Sequence, residues 1–294
     1  MKTIKERHQF YLPDDLSEKL EAMAKEPGSS KTAILTDALR AWFERRAANE
    51  LDERFGIRLN RISQANERLE RKVEFVAEAL GTFALVGIGS FAILSSAGTG
   101  RLDVVAIALG FGLALLVGLY AFGEVSGGHY NPAVSLGMFL DRRIAMNDMI
   151  AYWISQVVGA IAASVVVLIA FNDNAVAATT THASDNWAGI VVETVMTALF
   201  VAVILQSTKS ERVRGTALLA IPLTLLAIHV AIIPISGSSV NPARSLAPAI
   251  VGTDFGDLWI YLIFPFVGAA LGFLAHKVVT EGNTPLSTGS TTNA

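Results

Sequence analysis

The sequence predicts an all-α membrane protein with six transmembrane helices and two half-helices in an inverted repeat, preceded by a small charged domain. Three observations predict it. Residues 1–72 carry 15 Lys/Arg and 13 Asp/Glu, and the rest of the chain, three times as long, carries only 8 and 13. Six runs in that second part are long and apolar enough to cross a bilayer. One motif occurs twice, 110 residues apart: "SGGHYNPAVSL" at 126–136 and "SGSSVNPARSL" at 236–246 share seven of eleven positions.

Hydrophobic residues make up 52% of the 294 residues and charged ones 17%, below the roughly 25% charged content usual for soluble domains. There is no cysteine, which excludes a disulfide framework and thiolate chemistry. The N-terminus is too charged for a signal peptide. The apolar runs extend over Phe75–Ser95, Val104–Phe122, Met149–Phe171, Trp187–Leu205, Ala217–Ile235 and Leu258–His276. Each approaches or exceeds the ~20 residues that a spanning helix needs. The second, third, fifth and sixth contain no Asp, Glu, Lys or Arg. A soluble protein has no need of six such runs.

Basic residues set the expected orientation. Lys209, Arg212 and Arg214 follow the fourth run, and Arg142 and Arg143 precede the third. The long connection "NDNAVAATTTHASDN" has none. That connection is expected outside, with both chain ends in the cytoplasm.

Each twin motif opens a stretch of about ten mostly apolar residues, Asn131–Leu140 and Asn241–Ile250. As helix, ten residues rise about 15 Å, half a bilayer. Asn caps helices well, and Pro suits the first turn. "NPA" (Asn131, Pro132, Ala133 and Asn241, Pro242, Ala243) therefore reads as a half-helix beginning at membrane depth. Irregular backbone survives there only when buried in protein or lining a wet cavity. Three spans and a half-helix, twice, account for the body. Glu78 in the first run and Glu193 in the fourth hold corresponding places. They are expected to accept loop N–H groups, the alternative being carboxylates that reach interfacial water near a span end.

These features resemble the aquaporins, the major intrinsic proteins. "AEALGTF" in the first run, "SGGHYNPAV" and "NPARS" carry the resemblance, which covers about residues 74–280. It implies a passive water channel that excludes protons and ions. It also implies a homotetramer with one pore per protomer in an inner or plasma membrane, whose partners are water and lipid. No enzyme activity, cofactor or metal is implied. Counting from the NPA motifs, the resemblance places a selectivity ring at Phe111, His229, Ser238 and Arg244. Taken alone, His229 reads as a hydrogen-bonded core residue and Phe111 as a core or lipid-facing one. Arg244 inside an apolar half-helix has no inexpensive bland explanation. His229, where glycerol-passing relatives resemble Gly, and Ser245, where they tend to read Asp, point to water. Passage of glycerol or other small neutral solutes is the alternative.

Residues 1–50 lie outside that pattern. "RHQFYLP" alternates like one short strand, followed by helices over "DDLSEKLEAMAKE" and "SKTAILTDALRAWFERRA", the second capped by Ser29 or Ser30. Strand, helix, turn and helix resemble a ribbon-helix-helix module. That resemblance implies a dimer whose Arg7, Gln9 and Tyr11 face DNA, with Ser29 and Ser30 at a phosphate-binding helix start. The charge of residues 1–72 is only +2 (15 against 13), thin for DNA. A dimerising cap without nucleic acid is the other reading, and a membrane-tethered DNA-binding regulator is the second function class. Over 51–73 a linking helix is expected. Phe55, Leu59, Ile62, Asn66, Leu69, Val73 and Val76 recur in steps of four and three, as a coiled-coil seam does. A helix lying on the membrane is the alternative. Residues 281–294 read as a disordered tail.

Overall fold

The computed structural model describes residues 11–25, 30–45, 50–98, 103–209 and 215–281. Every regular element among them is a helix. The chain divides into two compact units, residues 1–69 and 70–294.

In the first unit, α1 (Asp14–Met23) and α2 (Lys31–Arg45) pack on each other. Asp14 and Asp15 occupy the first turn of α1, where negative charge suits the helix dipole. The Ser30 hydroxyl accepts the Ala33 N–H at 3.1 Å, capping α2. Lys31 pairs with Glu21 at 2.7 Å between exposed side chains, a contact that adds little stability in water. α1 buries none of its residues, and Leu16 and Met23 are exposed. Tyr11 is exposed, and residues 11–13, the end of the expected strand, have no regular structure. The rest of that strand, with Arg7, Gln9 and Ser29, lies outside the described residues, as do residues 282–294 of the expected tail.

α3 (Glu50–Gly98) joins the expected linking helix and the first span in one helix of 49 residues. Composition changes sharply along "ERKVEFV", but no proline or turn residue stands there to end a helix. The second unit continues with α4 (Val104–Ser126), α5 (Pro132–Leu140), α6 (Met146–Ala170), α7 (Asp173–Ala177), α8 (Asn186–Lys209), α9 (Ala217–Ser236), α10 (Pro242–Val251) and α11 (Leu258–Glu281). α3, α4, α6, α8, α9 and α11 are long and apolar enough to cross a membrane. Their outer faces expose Val117, Ile154, Leu199, Leu219 and Ile263, as lipid requires.

α8 packs along α11, and α4 along α9. At Gly268 and Gly272 a Cβ would enter the α8 backbone at Thr194 and Ala198, so small residues set that close approach. The inverted repeat is visible in the caps. α4 ends at Gly127 (φ 85°) and α9 at Gly237 (φ 70°), both left-handed, a conformation that glycine adopts without strain. α5 and α10 each begin at an asparagine with proline in the first turn. These half-helices pack against α6 and α11, and the residues just before them, His129 and Tyr130 in one repeat and Ser238, Ser239 and Val240 in the other, are buried.

Candidate pore

The two asparagines hold the centre together. The Asn131 carbonyl oxygen Oδ1 accepts the Ala133 N–H at 2.9 Å, and Asn241 Oδ1 accepts those of Ala243 at 3.1 Å and Arg244 at 3.4 Å. Each amide nitrogen then crosses to the other repeat. Asn131 Nδ2 donates to the Val240 carbonyl at 2.7 Å, and Asn241 Nδ2 to that of Tyr130 at 2.9 Å. The half-helix N-termini are thus tied tip to tip. Each Nδ2 carries two hydrogens, and the crossing uses one.

The loops entering the half-helices are strained. Tyr130 (φ 48°), Ser238 (φ 51°) and Val240 (φ 45°) are left-handed, a cost for side chains with a Cβ and highest for branched Val240. Two buried carboxylates hold them there. Glu78 Oε1 accepts the His129 N–H at 2.9 Å and the Ser126 hydroxyl at 2.7 Å; its Oε2 accepts the Tyr130 N–H at 2.8 Å and the Gln156 amide at 2.7 Å. Glu193 repeats the pattern with Ser239 N at 2.9 Å, the Ser236 hydroxyl at 2.7 Å and Val240 N at 2.7 Å. Both glutamates have no exposed surface. Tyr152 and Tyr261 complete the symmetry, donating to the carbonyls of Ser126 at 2.8 Å and Ser236 at 2.7 Å.

A cavity of about 20 Å³ lies at this centre. Part of its lining comes in repeat-related pairs: Asn131 with Asn241, His129 with Ser239 and Leu115 with Leu225, each 110 residues apart, and Leu85 with Phe200, each seven residues after its glutamate. The remaining lining residues, Phe111, His229 and Arg244, break the symmetry. Their counterparts at the same offset are Ile221, Leu119 and Val134. The ring centroids of Phe111 and His229 are 4.7 Å apart, and the Arg244 guanidinium carbon stands 5.0 Å from the Phe111 centroid. A Cβ on Gly89 would enter the Phe111 ring, so that glycine is what lets the ring lie there.

Burial of Arg244 is offset by neighbours: Nη1 donates to the Thr179 carbonyl at 2.9 Å. His229 Nδ1 stands 3.0 Å from the Leu225 carbonyl. A carbonyl only accepts, so Nδ1 carries the hydrogen and Nε2 is left as an acceptor. His229 Nε2 and Arg244 Nε have no protein partner, which gives the constriction an acceptor and a donor.

Of the residues singled out from the sequence, both asparagines, Phe111, His229 and Arg244 share this cavity. Pro132, Ala133, Pro242 and Ala243 form the first turns behind them. Ser238 does not line it; its hydroxyl is buried without a partner, and Ser239 takes the lining position. Ser245, noted only as a departure from a glycerol signature, carries a hydroxyl chain. Thr181 donates to Ser245 at 2.7 Å, Ser245 to Ser239 at 2.6 Å, and Ser239 to the Asn241 carbonyl at 2.9 Å. Leu85, Phe200 and His129 were not anticipated, although their offsets from Glu78, Glu193 and Asn131 mark them as repeat positions. The Thr179 carbonyl carries no side-chain signal at all.

Relatives agree with this architecture. The Major intrinsic protein profile matches residues 66–276. Aquaporin Z of Brucella melitensis is 40% identical over 220 residues, covering 68% of this chain and 95% of the relative. Glycerol uptake facilitator protein-like 6 of Lactiplantibacillus plantarum is 39% identical over 214 residues, covering 70% and 97%. The aquaglyceroporin from Plasmodium falciparum shares the fold with a TM-score of 0.66 over 72% of this chain and 98% of its own, at 24% identity. With six apolar spans around paired asparagine-capped half-helices and a profile match over 66–276, this integral membrane chain belongs to the major intrinsic protein family, a family of channels and not of enzymes.

Proposed function

We propose that the channel is selective for water, and that Phe111, His229 and Arg244 form its filter with Ser238 behind them. The observation that carries this reading is the constriction. The Phe111 and His229 rings pack on each other, centroids 4.7 Å apart, with Arg244 beside them, and the three wall a cavity of about 20 Å³. One water needs roughly 10–15 Å³, so the space suits waters in single file and is narrow for a three-carbon polyol.

Each step follows from a named group. A water entering the filter exchanges bulk partners for His229 Nε2 as acceptor and Arg244 as donor, which keeps its desolvation cost low. The Arg244 charge repels cations. At the centre, the second Nδ2 hydrogens of Asn131 and Asn241 are the donors for the water oxygen. The N-termini of α5 and α10 add their positive dipole ends from both sides. A water held that way points its hydrogens outward along the file in both directions and does not relay a proton. Glu78 and Glu193 keep the loops in the strained shape that this centre needs. Only one end needs a filter, which is why Arg244 has Val134 as its counterpart.

The protein similar to this chain in Lactiplantibacillus plantarum is named for glycerol uptake, and that name supports a second reading, a channel that also passes glycerol. Proteoliposomes bearing the whole chain separate the two by stopped-flow light scattering. Fast water and slow glycerol are expected; fast glycerol overturns water selectivity.

The same reading takes residues 74–280 as a channel assembled as a tetramer, with both chain ends in the cytoplasm, residues 51–73 as a linking helix and residues 1–50 as a cap. For that cap a role in assembly is favoured over DNA binding, because Leu16 and Met23 of α1 are exposed while net charge is thin. A gel shift with the purified full chain at low salt tests it: no sequence-dependent shift is expected, and one would restore the DNA-binding reading.

A further inference from the structure

We infer that α3 between Leu59 and Val76 is a parallel, in-register coiled-coil seam that pairs with a second copy of this chain. The inference is independent of which solute the pore passes.

The seam follows from position and exposure together. Taking Leu59 as heptad position a, Asn66 and Val73 are also a, and Ile62, Leu69 and Val76 are d. All lie on the single uninterrupted helix α3. Ile62, Leu69, Val73 and Val76 are 57%, 59%, 47% and 57% exposed in the protomer. Branched and long apolar side chains at every a and d but one are what interdigitating helices require. The one polar member is Asn66, at a. A single asparagine at a costs stability and fixes register and strand number, because a slipped pairing sets its amide against an apolar layer.

Stripe width distinguishes this from a helix lying on the bilayer. A surface-lying helix buries a broad apolar face. Here the flanking e and g positions are Arg58, Ser63, Ala65, Glu70 and Lys72, so the apolar stripe is confined to a and d. The outer b, c and f positions carry both signs, with Arg61, Arg68 and Arg71 against Glu67. Ile57 at f and Phe75 at c are the exceptions, and the Phe75 ring packs edge-on against Tyr152 of the same protomer, centroids 6.0 Å apart. The copy must run parallel, because the later part of α3 is itself a membrane span and all copies insert in one direction.

The chain has no cysteine, so single cysteines report directly. Ile62→Cys and Leu69→Cys place a thiol at d, and Gln64→Cys and Arg71→Cys place it at f. Each full-length variant is oxidised in proteoliposomes, separated on a non-reducing gel, and checked for retained water permeability. A disulfide requires Cα atoms about 4.4–6.8 Å apart, which facing d positions approach and f positions do not. Dimer bands at 62 and 69, reversed by reductant and absent at 64 and 71, are expected. Equal cross-linking at all four sites, or none at 62 and 69, overturns the seam.

Discussion

Glu78 and Glu193 do the same work in opposite repeats, but only Glu78 has a side-chain amide as a partner. Gln156 Nε2 donates to Glu78 at 2.7 Å, and no such amide reaches Glu193 among the contacts described. The neutral variants should therefore differ. In Glu78→Gln, the Gln156 amide can turn and offer Oε1, which has no partner now, to the new NH₂. In Glu193→Gln, where the NH₂ likewise faces a backbone N–H, the one group able to accept from it is the Ser236 hydroxyl, which must then turn its own hydrogen to the Ile232 carbonyl 3.5 Å away. An unsatisfied buried donor costs about 1–3 kcal/mol. Thermal unfolding in detergent should show Glu193→Gln the less stable by about that amount. Equal loss would contradict the compensating role of Gln156.

The Phe111 ring depends on Gly89. A methyl there enters the ring, and overpacking costs about 1–3 kcal/mol unless the ring moves. The ring has His229 and Arg244 around it, so movement narrows the cavity. Gly89→Ala should lower water permeability, and Phe111→Ala in the same chain should restore it. A Gly89→Ala channel with full permeability would contradict the ring's placement.

A polar clasp ties the loop between α7 and α8 to the loop between α10 and α11. Asp254 Oδ2 lies 2.9 Å from His182 Nε2, and the Thr180 hydroxyl donates to the same oxygen at 3.2 Å. Asp257 faces His182 Nδ1 at 3.7 Å. Burial raises the Asp254 carboxyl, but the Gly256 N–H, His182 and Thr180 outweigh it and hold it below its ordinary value. A depressed carboxylate stabilises above its unfolded pKa of about 3.9, and that contribution is lost as pH falls through the folded value. Both side chains are partly exposed, so the effect is under about 1 kcal/mol. Unfolding temperature should fall between about pH 5 and 3, and Asp254→Asn should flatten that fall. An unchanged slope would remove the clasp.

A chain with no cysteine offers mercury no thiolate. Water permeability should be indifferent to mercuric ion, whereas reversible block would mean a different ligand in the pore.

The half-helices could be read directly, because "NPA" encodes both a cap and a first turn, and its repetition fixed the pairing of Glu78 with Glu193. Arg244 stood out because charge is rare at that depth. What was not readable came from backbone and continuity. The Thr179 carbonyl that holds Arg244 could belong to any residue type. The union of linking helix and first span in α3 was hidden because polarity changes there while helix propensity does not. Ser238 and Ser239 are adjacent and chemically alike, so only the left-handed turn at Ser238 decides which one faces the cavity.

Water selectivity resting on Phe111 and His229 is tested most directly by Phe111→Ala with His229→Gly in one chain, compared with the unaltered protein for water and glycerol flux in proteoliposomes. Removing the two rings that stand 4.7 Å apart should leave water flux high and raise glycerol flux about tenfold or more, a barrier change of roughly 1.4 kcal/mol. Glycerol flux that stays at the unaltered level while water still passes would contradict it, and would place the selective constriction elsewhere in the channel.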